Sequence, residues 1–564
     1  MKFKKIALAI LFILVVSCIL FLYSLRIAPP EQDLTVINPA LKRIHTSDGY
    51  QYGPNWLKKE RPGLWYMYAE GEGFERGYAI GLLTKELAQQ QEVYFVNEIN
   101  KKVPAGIYQF FLKVFVGWFN RKIDQHIPLE YQKEIYGVSL SASEKYSYIA
   151  PAYQRMLNYH AAHDIGHALQ NMHLVACTAL GAWDQYAEDS TMYIGRNFDF
   201  YVGDDFAREK IIAFINPKQG YQFMSVTWGG MCGVLSGMNM QGLTVTLNAD
   251  KSGMPSQTGT PVSIIGREIL QYASTIDEAY AIAKKHTCFV SESFMIGSAK
   301  DRKIAVIEKT PQTTALYYPN DTRIVCANHY QSKELKNTPL NVEDMNDSTS
   351  VYRHQRVEEL LQAVPKMNEK KMAALLRDQR GLQGKSIGWG NPKAVNQLIA
   401  HHSIIFNPYK KLVWISTSPY QLGDYVAIHL EGVFKPNSGL DASGRHTVES
   451  ITDKSLVIAA DSFLFSPSYR NFVFYRNTAA EIQANLTNKD WELPPAKVDK
   501  LIAANPDYYY AYQLVGDYFQ KKKKYAESSQ YYRQALGKEM PSVTDRQSIQ
   551  AKITANQEKI EKGK

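Results

Sequence analysis

Residues 174–200 read LVACTALGAWDQYAEDSTMYIGRNFDF. Cys177 stands between an apolar run and Thr178. A turn follows, then a strand at 192–194, then Gly195-Arg196-Asn197-Phe198-Asp199. The stretch predicts a hairpin that sets an arginine and an aspartate against a cysteine. Such a cysteine can do covalent acyl chemistry, because the thiolate is the nucleophile and a nearby cation such as Arg196 lowers the thiol pKa. Were the chain cut at Ala176–Cys177, the new α-amine, with a pKa of about 7.7–8.0, would serve as base. Asp199 would orient that amine, giving nucleophile, base and orienter in one place.

Outward from this hairpin the texture is layered. Short β-rich runs lie at 192–194, 211–215, 222–228, 243–247, 304–308, 403–406 and 412–416, with helical stretches at 264–286 and 351–377. Strands, then helices, then strands predict an α+β core. Upstream, 61–176 reads as mostly helical, with helical periodicity at 82–99 and 131–157 and an apolar run at 103–119. Residues 417–490 read as further β and connecting structure. Within 505–536, Tyr512, Val515, Gly516, Phe519, Ser528, Tyr532, Ala535 and Leu536 fall at the spacing of one tetratricopeptide repeat. One repeat cannot bury its own face. It is expected to pack on the core or on a helix at 543–560, with a protein-partner surface as the alternative.

A chain of 564 residues exceeds one ordinary core. The expected division is a membrane anchor or signal at 1–28, a linker at 29–60, a helical segment at 61–176, a catalytic core at 177–490 and a helical tail at 491–564. Lys2, Lys4 and Lys5 precede an uncharged apolar stretch at 6–23, near the minimum for a spanning helix. The positive flank puts the N-terminus in the cytoplasm and the remainder outside. The stretch around Cys18 loosely resembles a lipoprotein processing site, but the residues after it stay apolar, which favours an uncleaved anchor. The net charge of +9 is mild for this length, and no basic stripe with interleaved aromatics marks a nucleic-acid surface.

The five cysteines are Cys18, Cys177, Cys232, Cys288 and Cys326, with no Cys-x-x-Cys pair, which argues against a cysteine zinc site. A disulfide among Cys232, Cys288 and Cys326 and buried free thiols are both open. His160, His163, His167 and His173 form a rival cluster, and His163 and His167 have metal-ligand spacing. No His-Glu-x-x-His accompanies them, so helix-packing histidines are the favoured reading. Cys232 is a rival nucleophile without a base nearby in sequence.

Five segments, in order, resemble the isopenicillin N acyltransferase family of autoproteolytic acyltransferases, within the N-terminal-nucleophile hydrolases. Choloylglycine hydrolases, penicillin V acylases and acid ceramidase are more distant relatives. The first segment is the glycine-rich 71–81, which resembles the family's G-x-x-x-E-x-G-x-x-x-G. The Cys177 hairpin follows, then 233–248, then Cys326-Ala327-Asn328-His329-Tyr330, then 402–414. The resemblance spans about residues 65–430. It implies a four-layer αββα core, self-cleavage before Cys177, and an amidohydrolase or acyltransferase working through a thioester on an acyl amide or ester. It assigns Cys177 as nucleophile, Arg196 and Asp199 as its supports, Asn328 as an oxyanion donor and Asn248 as a weaker one. It also places a late arginine at the site, and Arg353 and Arg356 are not separable by sequence. No cofactor or metal is required. The substrate is left open. A non-catalytic envelope scaffold, using the core and the repeat to hold a partner, is the alternative function. A histidine-metal hydrolase is a third.

Overall fold

The computed structural model describes residues 2–161, 164, 175–253, 255–434, 451–488 and 490–563. The chain opens with helix α1 (Lys2–Ser24), followed by strands β1 (Ile44–His45), β2 (Gly49–Tyr52), β3 (Asn55–Arg61) and β4 (Leu64–Gly71). Helices α2 (Gly73–Leu83), α3 (Lys85–Lys102), α4 (Gly106–Phe119), α5 (Leu129–Ser139) and α6 (Ala152–His160) come next. The hairpin β5 (Val175–Trp183) and β6 (Met192–Phe200) leads into β7 (Lys210–Pro217), β8 (Phe223–Thr227), β9 (Ser236–Asn239) and β10 (Leu243–Asp250). After α7 (Val262–Tyr272) and α8 (Ile276–Lys285) run β11 (Ser291–Ser298), β12 (Lys303–Lys309), β13 (Thr314–Tyr317) and β14 (Arg323–Cys326). Helices α9 (Pro339–Asp347), α10 (Ser350–Ala363) and α11 (Glu369–Leu376) precede β15 (His402–Asn407), β16 (Leu412–Ser416) and β17 (Tyr425–His429).

These strands form an 11-stranded sheet, β1-β2-β3-β4-β7-β8-β9-β10-β11-β12-β13, and a 6-stranded sheet, β14-β5-β6-β15-β16-β17. Alternation along the strands sorts their side chains into layers. On β10, Leu243, Val245 and Leu247 face a core shared with α2, α5, α6, α7 and α8. A second core, with Ile212, Met224, Met295 and Ile304 from the large sheet and Ala179, Ile194, Ile404 and Val413 from the small one, lies between the sheets. Leu180, Tyr193, Ile405 and Trp414 on the far face of the small sheet meet Val357 and Leu361 of α10 and Met372 and Leu376 of α11. The chain is therefore helix, sheet, sheet, helix in section, a mixed α+β fold.

Several expectations are corrected. Residues 29–60 are more than a linker, and 61–176 does not begin helical. The hairpin β3–β4 turns at Gly63, with φ of +81°, and β4 then pairs in parallel with β7 from Leu64↔Lys210 to Gly71↔Pro217. Residues 417–490 are not mainly β: Pro467–Asn485 is a 19-residue helix started by the Ser466 side chain, which accepts from the Tyr469 N–H. Its Phe472, Tyr475 and Ile482 share one apolar cluster with the tail, so the helical C-terminal unit begins before 491. In that tail, helices 509–521 and 525–536 pack closely, with Gly516 against the Tyr532 ring and Ser528 Oγ donating to the Gly516 carbonyl at 2.8 Å. The unit docks on the core, where Asn505 Oδ1 accepts from the Trp389 N–H at 3.0 Å and Asp347 accepts from the Thr544 N–H at 2.8 Å.

The glycine-rich segment 71–81 has a packing role. Gly73, Gly77 and Gly81 recur every four residues along one face of α2, which lies against α5. A Cβ on Gly77 would sit 1.9 Å from the Glu134 carbonyl oxygen, so only glycine permits this approach. Buried ion pairs fix the same contact. Arg76 and Arg267 both reach the fully buried Glu134, the latter at 3.1 Å, and together they hold its carboxyl below the usual range against the opposing effect of burial.

Candidate active site

Cys177 is the third residue of β5 and lies opposite Phe198 on β6. Alternation places the side chains of Cys177 and Arg196 between the sheets, where Ala179 and Ile194 also lie. Arg196 bridges the gap. Its Nη2 donates to Cys177 Sγ at 3.3 Å and to the Leu247 carbonyl, and its Nη1 donates to Ser236 Oγ at 2.7 Å. Ser236 in turn contacts His402 Nε2 at 2.9 Å, and the guanidinium lies 4.3 Å from the Phe198 ring centroid. Ser236 and His402 lie in the 233–248 and 402–414 segments, but sequence reasoning gave them no role.

The backbone of Cys177 is held as firmly as its sulfur. Its N–H donates to Asn328 Oδ1 at 3.1 Å. Arg353 Nη1, from α10, donates to the Cys177 carbonyl at 2.6 Å and to Thr178 Oγ1 at 2.7 Å, while Nη2 donates to Asn328 Oδ1 at 2.6 Å. Arg356 points elsewhere, forking onto Asp378 at 2.9 and 3.0 Å. The structure thus separates the two arginines. Ser350, at the start of α10, steadies the loop by accepting from the Asn328 N–H at 2.8 Å.

Asn328 and Asn248 are both placed differently from their expected donor role. Asn328 presents its oxygen to Cys177, and its Nδ2 is spent on the Ala249 carbonyl at 2.7 Å. Asn248 donates from Nδ2 to the carbonyls of Cys326 and Ala327, at 2.8 and 2.9 Å. With its donors so engaged in the uncut chain, Asn248 ties β10 to the loop that carries Asn328.

Asp199 lies opposite Ala176, across the bond expected to break. It is fully buried, and neither carboxylate oxygen has a hydrogen-bond partner among the described residues. Burial raises its pKa to about 7, with Arg353 and Arg196 pulling the other way. Glu292 on β11 is a further residue of the site that no motif marked. It too is buried, with both oxygens unpartnered among the described residues. Burial first, then Asp250 and Asp164, push it well above the usual carboxylate range. The available signal was a glutamate set in the apolar run FVSESFMIG at 289–297.

These acids bear on the nucleophile. Burial, with Asp199 and Glu292 adding to it, raises the Cys177 thiol to about 11 despite Arg196. Arg196 pulls the thiol down, but in the uncut chain desolvation outweighs one guanidinium and the net shift is upward. Cys177, Cys232, Cys288 and Cys326 are all free and buried, so the disulfide alternative does not hold among them. The Cys232 N–H donates to His160 Nε2 at 2.8 Å, and burial followed by Glu134 pushes its thiol well above the usual value. His160 contacts the Met156 carbonyl through Nδ1, so it packs the core. His163, His167 and His173 lie outside the described residues, and no cluster of three metal-ligating side chains occurs among the described ones.

Beyond Asp199, the Phe200 ring forms one wall of an apolar cleft with Ala88, Phe95, Met156, Tyr159 and Trp228. The cleft joins the outer helices to the end of β6, next to the site.

Residues 186–417 match the family model described as acyl-coenzyme A:6-aminopenicillanic acid acyl-transferase. The match covers less than half of the chain; the matched region carries Arg196, Asp199, Asn248, Asn328 and Arg353 but starts after Cys177. Among curated relatives, an uncharacterized protein of Archaeoglobus fulgidus is 25% identical over 320 residues, covering 54% of this chain and 52% of the relative. Protein dcd1B of Dictyostelium discoideum is 22% identical over 232 residues, covering 38% of this chain and 44% of the relative. The chain therefore spans about half the length of the curated relatives it matches. Among solved structures, an N-acylethanolamine-hydrolyzing acid amidase ortholog of Caenorhabditis elegans has a TM-score of 0.31 at 19% identity, covering 41% of this chain and 93% of that one. A mutant conjugated bile acid hydrolase of Clostridium perfringens has a TM-score of 0.31 at 15% identity, covering 45% and 92%.

Proposed function

We propose that the chain is an N-terminal-nucleophile amidohydrolase or acyltransferase that activates itself by cutting Ala176–Cys177. The observation that carries this reading is the fixing of one cysteine at three atoms at once: Arg196 on its sulfur, Asn328 on its N–H and Arg353 on its carbonyl. A structural cysteine in a strand needs partners for its backbone but no guanidinium on its sulfur.

In the first step Cys177 Sγ attacks the Ala176 carbonyl carbon and gives its proton to a buried carboxylate, for which Asp199 is the candidate. The C–N bond breaks, the Cys177 nitrogen takes a proton, and water hydrolyses the thioester, freeing the thiol and an Ala176 carboxylate. The new amine lies beside Asp199, supplying the partner that the buried carboxylate otherwise lacks. In the mature site that amine is the base, close to working pH. The thiol attacks an acyl amide or ester, and water or an acceptor amine resolves the acyl-thioester. The oxyanion donor is Asn328 after its amide turns, together with a backbone N–H. The apolar, aromatic cleft beside Phe200 suits an apolar acyl group. No step calls for a metal or cofactor. Helix α1 has the length and apolarity of a single membrane span, and we read it as an anchor holding the catalytic part outside the cytoplasm.

The test is the intact mass of the full chain beside Cys177→Ala. Self-cleavage gives a fragment of residues 177–564 with Cys177 at its N-terminus, and the variant stays whole. A folded wild type that remains uncut refutes self-activation.

A further inference from the structure

We infer that α4 is a second membrane contact, an in-plane helix whose aromatic face lies in the headgroup region of the bilayer that α1 spans. The inference rests on reading α1 as an anchor.

Helix α4 reads GIYQFFLKVFVGWF. Ile107, Phe111, Phe115 and Trp118 recur at i, i+4, i+8 and i+11, so they share one face, with Tyr108 and Phe110 at its edges. All six are exposed. Phe111 is 60% accessible, Tyr108 67% and Trp118 42%. Each keeps at least 42% of its surface accessible, even Trp118, over which the Arg121 guanidinium lies. Only the opposite side is engaged: Phe119 is buried against Phe289, and Lys113 Nζ donates to the Tyr148 carbonyl. A soluble protein seldom leaves so many large aromatics together in water.

The position of this face identifies its occupant. Leu25, the residue after α1, is buried against Gly117 of α4. Gln154 of α6 clamps the same point, donating to the Leu25 carbonyl at 2.7 Å. The apolar face of α4 thus begins where the spanning helix ends, at the level of the bilayer surface. Its ends are basic. Lys101 and Lys102 precede it, and Arg121 and Lys122 follow, with the Arg121 guanidinium 4.8 Å from the Trp118 ring. Aromatics flanked by Lys and Arg are the composition of an interfacial helix on anionic lipid. Asn120, directly after α4, donates to Asn158 at 2.9 Å, one residue from Tyr159 in the wall of the apolar cleft. Lipid contact at α4 therefore lies close to that cleft.

The full chain is reconstituted into vesicles of phosphatidylethanolamine and phosphatidylglycerol with brominated acyl chains. Trp118 is the one exposed residue of the 8 tryptophans, and α1 contains none. Quenching of roughly an eighth of the tryptophan emission is expected at interfacial depth. Trp118→Phe removes that quenching while leaving the remaining emission unchanged. The double variant Phe111→Glu, Phe115→Glu, both on the exposed face, keeps the fold and loses the quenching, with folding checked by the near-ultraviolet circular dichroism spectrum. A chain that floats with the vesicles but shows unquenched Trp118, whether α4 faces water or a second copy, overturns the inference and leaves the anchor intact. A chain that does not float overturns both.

Discussion

Replacing Asp199 by Asn in a Cys177→Ala chain, which cannot cut itself, removes one buried acid whose pKa is held at about 7 against an ordinary value of 3.8. A carboxyl with a raised folded pKa binds its proton more tightly folded than unfolded. Its contribution is fully present below about pH 4, declines as pH rises, and is gone above about pH 7. A shift of this size corresponds to about 4 kcal/mol of folding free energy lost between those limits. Asp199 is fully buried, so solvent does not screen the effect. The single and double variants are unfolded in urea at pH 4.5, 6, 7 and 8, with tryptophan emission as the readout. The Asn variant should be more stable by a few kcal/mol at pH 8 and nearly equal at pH 4.5. The other buried acids are common to both chains and cancel in the difference. A stability difference that does not change with pH would refute the claim that Asp199 is an unpartnered, titrating carboxyl.

In the self-cleaving chain, Asp199→Asn should slow cleavage, and wild-type cleavage should quicken as pH rises through about 7 and the carboxylate becomes available as proton acceptor; fragment yield over time on a gel reads both. Arg353→Lys removes the fork that joins Cys177 to Asn328, and cleavage should fall about a hundredfold, whereas Arg356→Ala, which breaks pairs with Asp378 and Glu359 and none at Cys177, should cleave at the wild-type rate. Asn248→Ala leaves the Cys326 and Ala327 carbonyls without their donor and should cost about 1–3 kcal/mol in urea unfolding, with slower cleavage. Gly77→Ala drives a methyl into the Glu134 backbone and should destabilise the chain by about 1–3 kcal/mol, seen as a lower urea midpoint.

What was legible in the sequence is what short-range pattern encodes. The runs at 192–194, 211–215, 243–247, 304–308 and 412–416 all lie in strands, because β-branched and aromatic residues between turns mark a strand without reference to its partners. The Cys177–Arg196–Asp199 grouping was legible because all three sit on one hairpin, where register is local. Strand β4 pairs locally with β3, but its second partner β7 lies beyond the described helices α2–α6 and a change of sheet, which no local pattern reports. The roles of Asn248 and Asn328 turn on which backbone carbonyls approach them, and no residue pattern carries that. Glu292 has no motif and becomes evident only once the sheets bring it near Arg196 and Cys177. Arg353 and Arg356 are three apart on α10, close enough to share a face by spacing, and only the placement of the small sheet distinguishes them.

The parallel pairing of β4 with β7 bears on what a cut at 176–177 would accomplish. The upstream piece keeps four strands of the large sheet, the downstream piece keeps the rest, and the β4–β7 ladder of eight matched pairs runs across the division. Arg76 and Glu134 on one side and Arg267 on the other share a sealed cluster of charge. The products would form an interlocked heterodimer, inseparable by dilution. The catalytic half would keep its hold on α1 without a covalent bond to it. With α1 read as an anchor, its residence at the membrane would then be set by the unfolding rate of a β-sheet rather than by a dissociation constant.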